Sequence, residues 1–244
     1  MHRVKSGIVL AAVAVLGMDL PARSEQARPV VLIHLPGIAG ELPVDRLMVR
    51  GLIDGGVSSE VEIIDWTGPR RGVLALSSIE ANKLEAAALA KKIESLYRSE
   101  PRPRIVLTSH SGGTGIAVWA LEMLPPDVQI DSLAMIASAL SAGYDLSPAL
   151  RHVRGRVHSF HSPYDNVLLS TGTRMLGTID RVNTDAAGYA GFKRPAHVNE
   201  ADYAKLVQHP YDAAWMQYNN AGGHIGPMMP PFAEKVIAPM LMAN

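Results

Sequence analysis

Apolar positions along this chain alternate between two spacings. Residues 29–35 (PVVLIHL) form a near-continuous hydrophobic run, which predicts a strand buried on both faces of a parallel sheet. Residues 42–56 follow with Leu47, Met48 and Leu52 on one helical face and a Gly55-Gly56 stop, and a second strand is predicted at 61–66. Ser77 and Glu80 have the spacing of a capping box, and the helix after them carries the stripe Leu89, Ile93, Leu96, Tyr97 until it ends before Pro101.

The alternation continues. A third strand is predicted at 104–108, then a helix over 112–124 that Pro125-Pro126 cannot prolong, then a fourth strand at 128–137 (VQIDSLAMIA). Shorter strands at 156–160 and 205–209 complete the set, the last followed by a short helix before Gly222-Gly223-His224. Repeated strand-helix units with long crossovers predict an α/β class fold: a mostly parallel sheet of about six strands flanked by helices, with ligands bound beyond the carboxyl ends of the strands. A chain of 244 residues, about half of them hydrophobic, can bury one sizeable core, and 25–244 reads as a single domain. The polar, glycine-bearing stretch 166–204 is long enough to be a lid or binding loop. Its Arg174, Arg181, Lys193 and Arg194 suit either an anionic substrate group or plain solvation.

Charge and cysteine content narrow the chemistry. Basic and acidic residues balance at 23 each with no basic stripe, so the electrostatic attraction that drives nucleic-acid binding is missing. The absence of cysteine removes disulfides, thiolate nucleophiles, cysteine-zinc sites and a lipobox anchor. Residues 1–24 show the order of a secretory signal peptide: His2, Arg3 and Lys5, an apolar run over 7–17, then Ala22-Arg23-Ser24. That run is shorter than the roughly 20 residues a membrane span needs. The expectation is a secreted or periplasmic protein beginning near Glu25, nearly neutral, with no stable membrane span after cleavage; an uncleaved anchor stays open. Oligomeric state is not legible.

One short segment carries the candidate chemistry. Ser109-His110-Ser111-Gly112-Gly113 lies between the third strand and its helix, so Ser111 sits at the apex of a sharp strand-to-helix turn, with the first amides of the helix close by. Gly113 gives that turn room, Gly112 offers an unobstructed amide, and Gly115 lets the helix approach the sheet. Alone, such a serine is as readily a helix cap. A nucleophilic serine needs a histidine to take its proton and a carboxylate to hold the histidine's tautomer. His224, in Gly222-Gly223-His224-Ile225-Gly226, is the favoured histidine; His110, His158 and His34 fit less well. Asp165, just past the fifth strand, is the favoured acid, with Asp145 its main rival and Asp180 and Asp185 in the long loop; a turn aspartate is the plain alternative. The loop His34-Leu35-Pro36-Gly37-Ile38-Ala39-Gly40 reaches the same sheet edge, so the backbone amides of Ile38 and Gly112 are the candidate oxyanion donors. The apolar run Met228 to Phe232 suits an acyl pocket or packing of the last helix equally.

Through the His34 to Gly40 loop, the serine elbow, Asp165 and His224, in the order serine, acid, histidine, the chain resembles the α/β-hydrolase superfamily over nearly all of residues 25–244. Ser109 stands where that group usually has the first glycine of Gly-x-Ser-x-Gly, and little more than 25–28 precedes the first parallel strand. The interval between Ser111 and Asp165 is too short for a large cap domain. The resemblance implies a serine hydrolase acting on a small-molecule or lipid carboxylic ester through an acyl-enzyme, with no metal or organic cofactor. A lipase or acyltransferase using the same residues, and a non-catalytic binding protein on the same scaffold, remain alternatives.

Overall fold

In the computed structural model, which describes residues 28–58, 60–76, 78–165 and 178–243, six strands form one sheet. They are β1 (Val30–Leu35), β2 (Glu60–Ile63), β3 (Arg104–His110), β4 (Ser132–Ile136), β5 (Val157–His161) and β6 (Leu206–Pro210). The order across the sheet is β2-β1-β3-β4-β5-β6, and each of the five pairings is parallel, so the mostly parallel sheet expected from sequence is parallel throughout these strands. The predicted leader, 1–24, and the stretch 166–177 with Arg174 lie outside the described residues.

Burial explains which strands the sequence marked most strongly. β3 and β4 occupy the middle and are buried almost end to end, as is β1, because crossover helices cover both faces. β2 and β6 are the edges, and each alternates between more and less exposed positions. Helices α1 (Pro43–Asp54), α2 (Ile79–Arg98) and α3 (Gly113–Glu122) make three of the crossovers. α3 is buried on nearly every side, so its first turn is held rigidly against the sheet.

Local details differ from the sequence expectation at several points. Within α1, Met48 and Leu52 face the core as expected, but Leu47 is exposed and Asp45 and Val49 take the buried face instead. α2 is capped by Ser78, whose hydroxyl accepts from the amide of Ala81 at 3.1 Å, one residue beyond the expected Ser77, which lies outside the described residues. β4 starts at Ser132 rather than 128, because Asp131 is drawn out of the strand: its carboxylate accepts from the Ile105 amide at 2.8 Å and pairs with Arg28 and Arg154, both at 2.9 Å. The described part of the long loop, 178–204, is packed into the body. Ile179, Ala186, Ala187, Phe192 and Tyr203 are buried, and Ile179 donates its amide to Ala139 at 3.0 Å. Among the described residues no helix is long and apolar enough to cross a membrane.

Candidate active site

At the carboxyl end of β3 the chain reverses into α3 within two residues, and Ser111 takes the strain. Its φ is 50°, in the left-handed region that non-glycine residues enter only when surroundings hold them there. The restraints are explicit. Its amide donates to the Ile136 carbonyl at 2.9 Å, and its own carbonyl accepts from the Thr114 amide at 3.1 Å, the Thr114 hydroxyl at 2.6 Å and the Ala139 amide at 3.2 Å. Gly113 admits no side chain, since a Cβ there would lie 2.5 Å from the carbonyl oxygens of Leu35 and Pro36. The turn is fixed by its backbone, which leaves the Ser111 hydroxyl without a hydrogen-bond partner among the described residues.

His224 reaches the same place from the other end of the sequence. Its imidazole packs 4.7 Å, centroid to centroid, from the ring of His110, the residue directly before Ser111. Nδ1 of His224 lies 2.9 and 3.0 Å from the two carboxylate oxygens of Asp165, so it donates its proton there, which in the neutral ring leaves Nε2 with the lone pair. Asp165 is buried and stands in a turn after β5, its amide donating to the Ser162 carbonyl at 3.1 Å. Burial raises the pKa of Asp165 above the usual carboxylate value, and the hydrogen bond and charge of His224 act against that rise. Two of the three alternative acids, Asp145 and Asp180, are seen engaged elsewhere. Asp145 accepts from the amide and hydroxyl of Ser147 and from Tyr203, and Asp180 from the amide and hydroxyl of Ser141.

The loop after β1 closes the remaining side. A turn in which Gly40 (φ 76°) donates to the Gly37 carbonyl at 3.0 Å presents Ile38. A Cβ on Gly37 would fall 3.3 Å from that of Ser111, and one on Gly112 would fall 2.6 Å from Cγ2 of Ile38, so this loop lies directly against the elbow. Among the described residues no hydrogen bond engages the amide N–H of Ile38 or of Gly112. Two free donors therefore stand beside one free hydroxyl.

Other residues of the site escaped the sequence reading. Trp66, expected to end the second strand, lies beyond it in a turn. Its buried indole N–H donates to the Pro36 carbonyl at 2.8 Å, and its ring would meet a Cβ on Gly112 at 3.1 Å, so one side chain backs both the loop and the elbow. Asp65 ties that loop down by accepting from the Glu41 amide at 3.1 Å and from Arg71 at 2.8 Å. Met228 and Phe232 are fully buried, with Phe232 edge-on to Phe160 at 5.7 Å, so these two pack in the core rather than line a pocket. Among the described residues no group of three or more acidic or histidine side chains is arranged to hold a metal ion.

No protein-family model matches the chain, nor does the sequence of any curated protein. Its fold is similar to that of lipase B from Aspergillus fumigatus, with a TM-score of 0.56 at 12% identity over 90% of this chain and 54% of that one; the chain spans about half the length of that lipase. More distant are a cutinase-like protein from Cryptococcus sp. (TM-score 0.44, 17% identity, 90% of this chain and 98% of that) and a dienelactone hydrolase from Anabaena variabilis (0.46, 13%, 89% and 87%). The parallel sheet, the strained serine between its third strand and third helix, and the likeness to lipase B together give this chain the α/β-hydrolase fold.

Proposed function

We propose that this protein is a serine hydrolase that cleaves carboxylic esters through an acyl-enzyme. In this reading Ser111 attacks the ester carbonyl while Nε2 of His224 takes the hydroxyl proton. The amides of Ile38 and Gly112 receive the negative charge that develops on the carbonyl oxygen. As the tetrahedral intermediate collapses, the C–O bond to the alcohol breaks and His224 gives its proton to the departing oxygen. Water, deprotonated by the same nitrogen, then attacks the acyl-serine; as this second intermediate collapses the acyl–Oγ bond breaks, His224 returns the proton to Ser111 and the acid leaves. Asp165 keeps His224 in the tautomer with Nε2 bare and offsets the positive charge of the transient imidazolium.

The observation that carries this reading is the Ser111 turn: a φ of 50° at a non-glycine residue, held by four backbone-directed hydrogen bonds, with the hydroxyl engaged by no described residue and the preceding residue, His110, in ring contact with His224. Strain of that kind persists where the surroundings impose it, and a serine hydroxyl without a described partner, one residue from a ring that packs on His224, supports the reading of Ser111 as the nucleophile. Ile225 and Tyr164, next in sequence to His224 and Asp165, are both exposed, and exposed Val73 follows Gly72, whose amide donates to the Ile38 carbonyl at 2.7 Å. Apolar side chains at these positions suit an ester with an apolar acyl or alcohol part. The leader-like segment 1–24 supports export of the protein from the cytoplasm.

The test is direct. Ser111→Ala is expected to abolish hydrolysis of short p-nitrophenyl esters and labelling by a fluorophosphonate while leaving the unfolding temperature close to that of the wild type. Retained turnover or labelling in that variant would overturn the assignment.

A further inference from the structure

His110 sits at the variable position of the elbow, where its identity is not required by the turn. It is nevertheless buried, and Nε2 lies 3.1 Å from the backbone carbonyl oxygen of His224. A carbonyl only accepts, so Nε2 carries the proton and donates it. The other nitrogen, Nδ1, faces Gly37, where a Cβ would fall 3.3 Å away, so the oxyanion loop packs against the bare side of the ring. The ring also contacts that of His224 at 4.7 Å with a tilt of 50°. Burial first, and the neighbouring His224 second, push the pKa of His110 well below the ordinary histidine value, which keeps it neutral with a single N–H. One residue therefore touches three parts of the site: it is joined to Ser111 by the chain, to the oxyanion loop by packing, and to the His224 loop by a hydrogen bond.

Among the described residues the loop it holds makes few other hydrogen bonds, its packing coming from buried Gly226, Pro227 and Met228 just after it. His224 is reached through Gly222, which has a φ of 82°, and Gly223, and the hydrogen bonds nearby, from Gly222 to the Asn220 side chain at 2.9 Å and from Gly226 to the Gly223 carbonyl at 3.0 Å, are local to that loop. Asp165 fixes the direction of the imidazole, but it stands on a separate turn after β5 and does not join the His224 backbone to the elbow. Resting on the function proposed above, we propose that His110 is a positioning residue whose Nε2–H, bonded to the carbonyl of His224, clamps the histidine loop to the elbow and sets the distance over which the Ser111 proton travels.

Three variants separate the donor from the packing. His110→Leu fills the space with no donor, His110→Gln offers an amide N–H to the same carbonyl, and the wild type is the reference, with unfolding temperatures measured for all. A misplacement of the base is felt in the chemical step, so His110→Leu is expected to lower kcat roughly tenfold to a hundredfold with KM little changed, and His110→Gln to recover most of that loss. Wild-type kcat in the folded leucine variant, or a glutamine variant no better than the leucine one, would overturn the proposal. A second readout does not need turnover. The Nδ1–H proton resonance of His224, held by Asp165, should be sharp in the wild type and in His110→Gln and broadened by exchange in His110→Leu, and the nitrogen shifts of His110 should report the Nε2–H tautomer. An Nδ1–H tautomer at His110 would also overturn it, even if the leucine variant fails to fold. If the wild type neither turns over esters nor reacts with fluorophosphonate, the proposed function falls, while these resonances still decide whether the clamp exists.

Discussion

Two histidine-aspartate pairs lie at the carboxyl edge of this sheet, and only one is open to chemistry. In the first, His34 at the end of β1 places Nε2 2.9 Å from Asp45, and Nδ1 lies 2.9 Å from the Thr108 hydroxyl. Asp45 in turn accepts from the Leu42 amide at 2.7 Å, so it holds the start of α1. Both residues are sealed, at 0% and 2% exposure. In the second pair, His224 bonds Asp165 through Nδ1 alone, its Nε2 has no partner among the described residues, and its side chain keeps 15% of its surface accessible. The chemical units are the same. What differs is the second nitrogen: in the first pair it is used to join two strands, and in the second it is left for a proton. A histidine-carboxylate couple is thus not by itself a sign of catalysis, and under the proposed function the state of the second nitrogen separates the two roles.

The sharpest way to break this comparison is to remove the charge from each acid in turn, and the largest effect is expected at Asp165. Asp165→Asn keeps an oxygen for the His224 ring but permits the opposite tautomer, with the proton on Nε2. Under the proposed function kcat for a p-nitrophenyl ester should fall by about 10³ to 10⁴. Stability should move the other way or not at all. The folded-state pKa of Asp165 is raised by burial, so above it the ionised carboxylate weakens the fold, and a neutral amide relieves that burden. A variant of unchanged rate would remove Asp165 from the site; a variant that loses rate by unfolding would place it with Asp45 as a structural acid.

Asp45→Ala should show the reverse pattern. It leaves the His34 ring N–H and the Leu42 amide without acceptors in a sealed region, a loss on the order of 3 kcal/mol in urea unfolding. The specific activity of the fraction that remains folded should stay within a few-fold of the wild type. Loss of activity in a fully folded Asp45→Ala protein would mean that the first pair also serves the reaction, and the contrast would collapse.

The two pairs were not equally legible in the sequence. The strand-helix alternation gave away the sheet, because β1, β3 and β4 are buried on both faces and so spell near-continuous apolar runs. Ser111 could be found because the turn it occupies demands small neighbours, and Gly112 and Gly113 are a local requirement of local geometry. Asp165 and His224 could be nominated because sequence order and strand ends limited the choice. The His34–Asp45 pair stayed hidden. His34 reads as one polar residue in an apolar strand and Asp45 as an ordinary first-turn acid, and nothing in spacing reveals that Thr108, on the neighbouring strand, meets the other nitrogen. Trp66 and His110 were obscured for the same reason, since each acts through a backbone carbonyl, of Pro36 and of His224, and a carbonyl has no residue type to recognise.

A third pair extends the comparison to a couple with no carboxylate, and its effect is the smallest. His158 on β5 and His209 on the edge strand β6 meet Nδ1 to Nε2 at 3.0 Å, so one donates and the other accepts, and the accepting ring must be neutral: the bond does not survive protonation of both. The rings stack at 5.2 Å, and His209 in turn stacks on Phe160 at 4.7 Å. Burial first, then the proximity of His209, pushes the His158 pKa down to about 4. The His209 and His161 pKa values are lowered as well, burial again coming first. A histidine of the unfolded chain titrates near 6.5. As pH falls below that value the unfolded state binds the proton before the folded one does, so stability is full above about 6.5, declines toward about 4, and is lost in full below that. Between pH 7 and pH 4.5 the decline from this site is on the order of 2 kcal/mol, or about 4 to 8 °C in Tm for a chain of this size. His158→Gln should flatten the slope, because glutamine can share a hydrogen bond with His209 without taking a proton. Calorimetry of both proteins across that range checks it: equal slopes would show that the acid sensitivity comes from other groups, and a wild-type Tm that does not fall would show that β5 and β6 tolerate a charged pair.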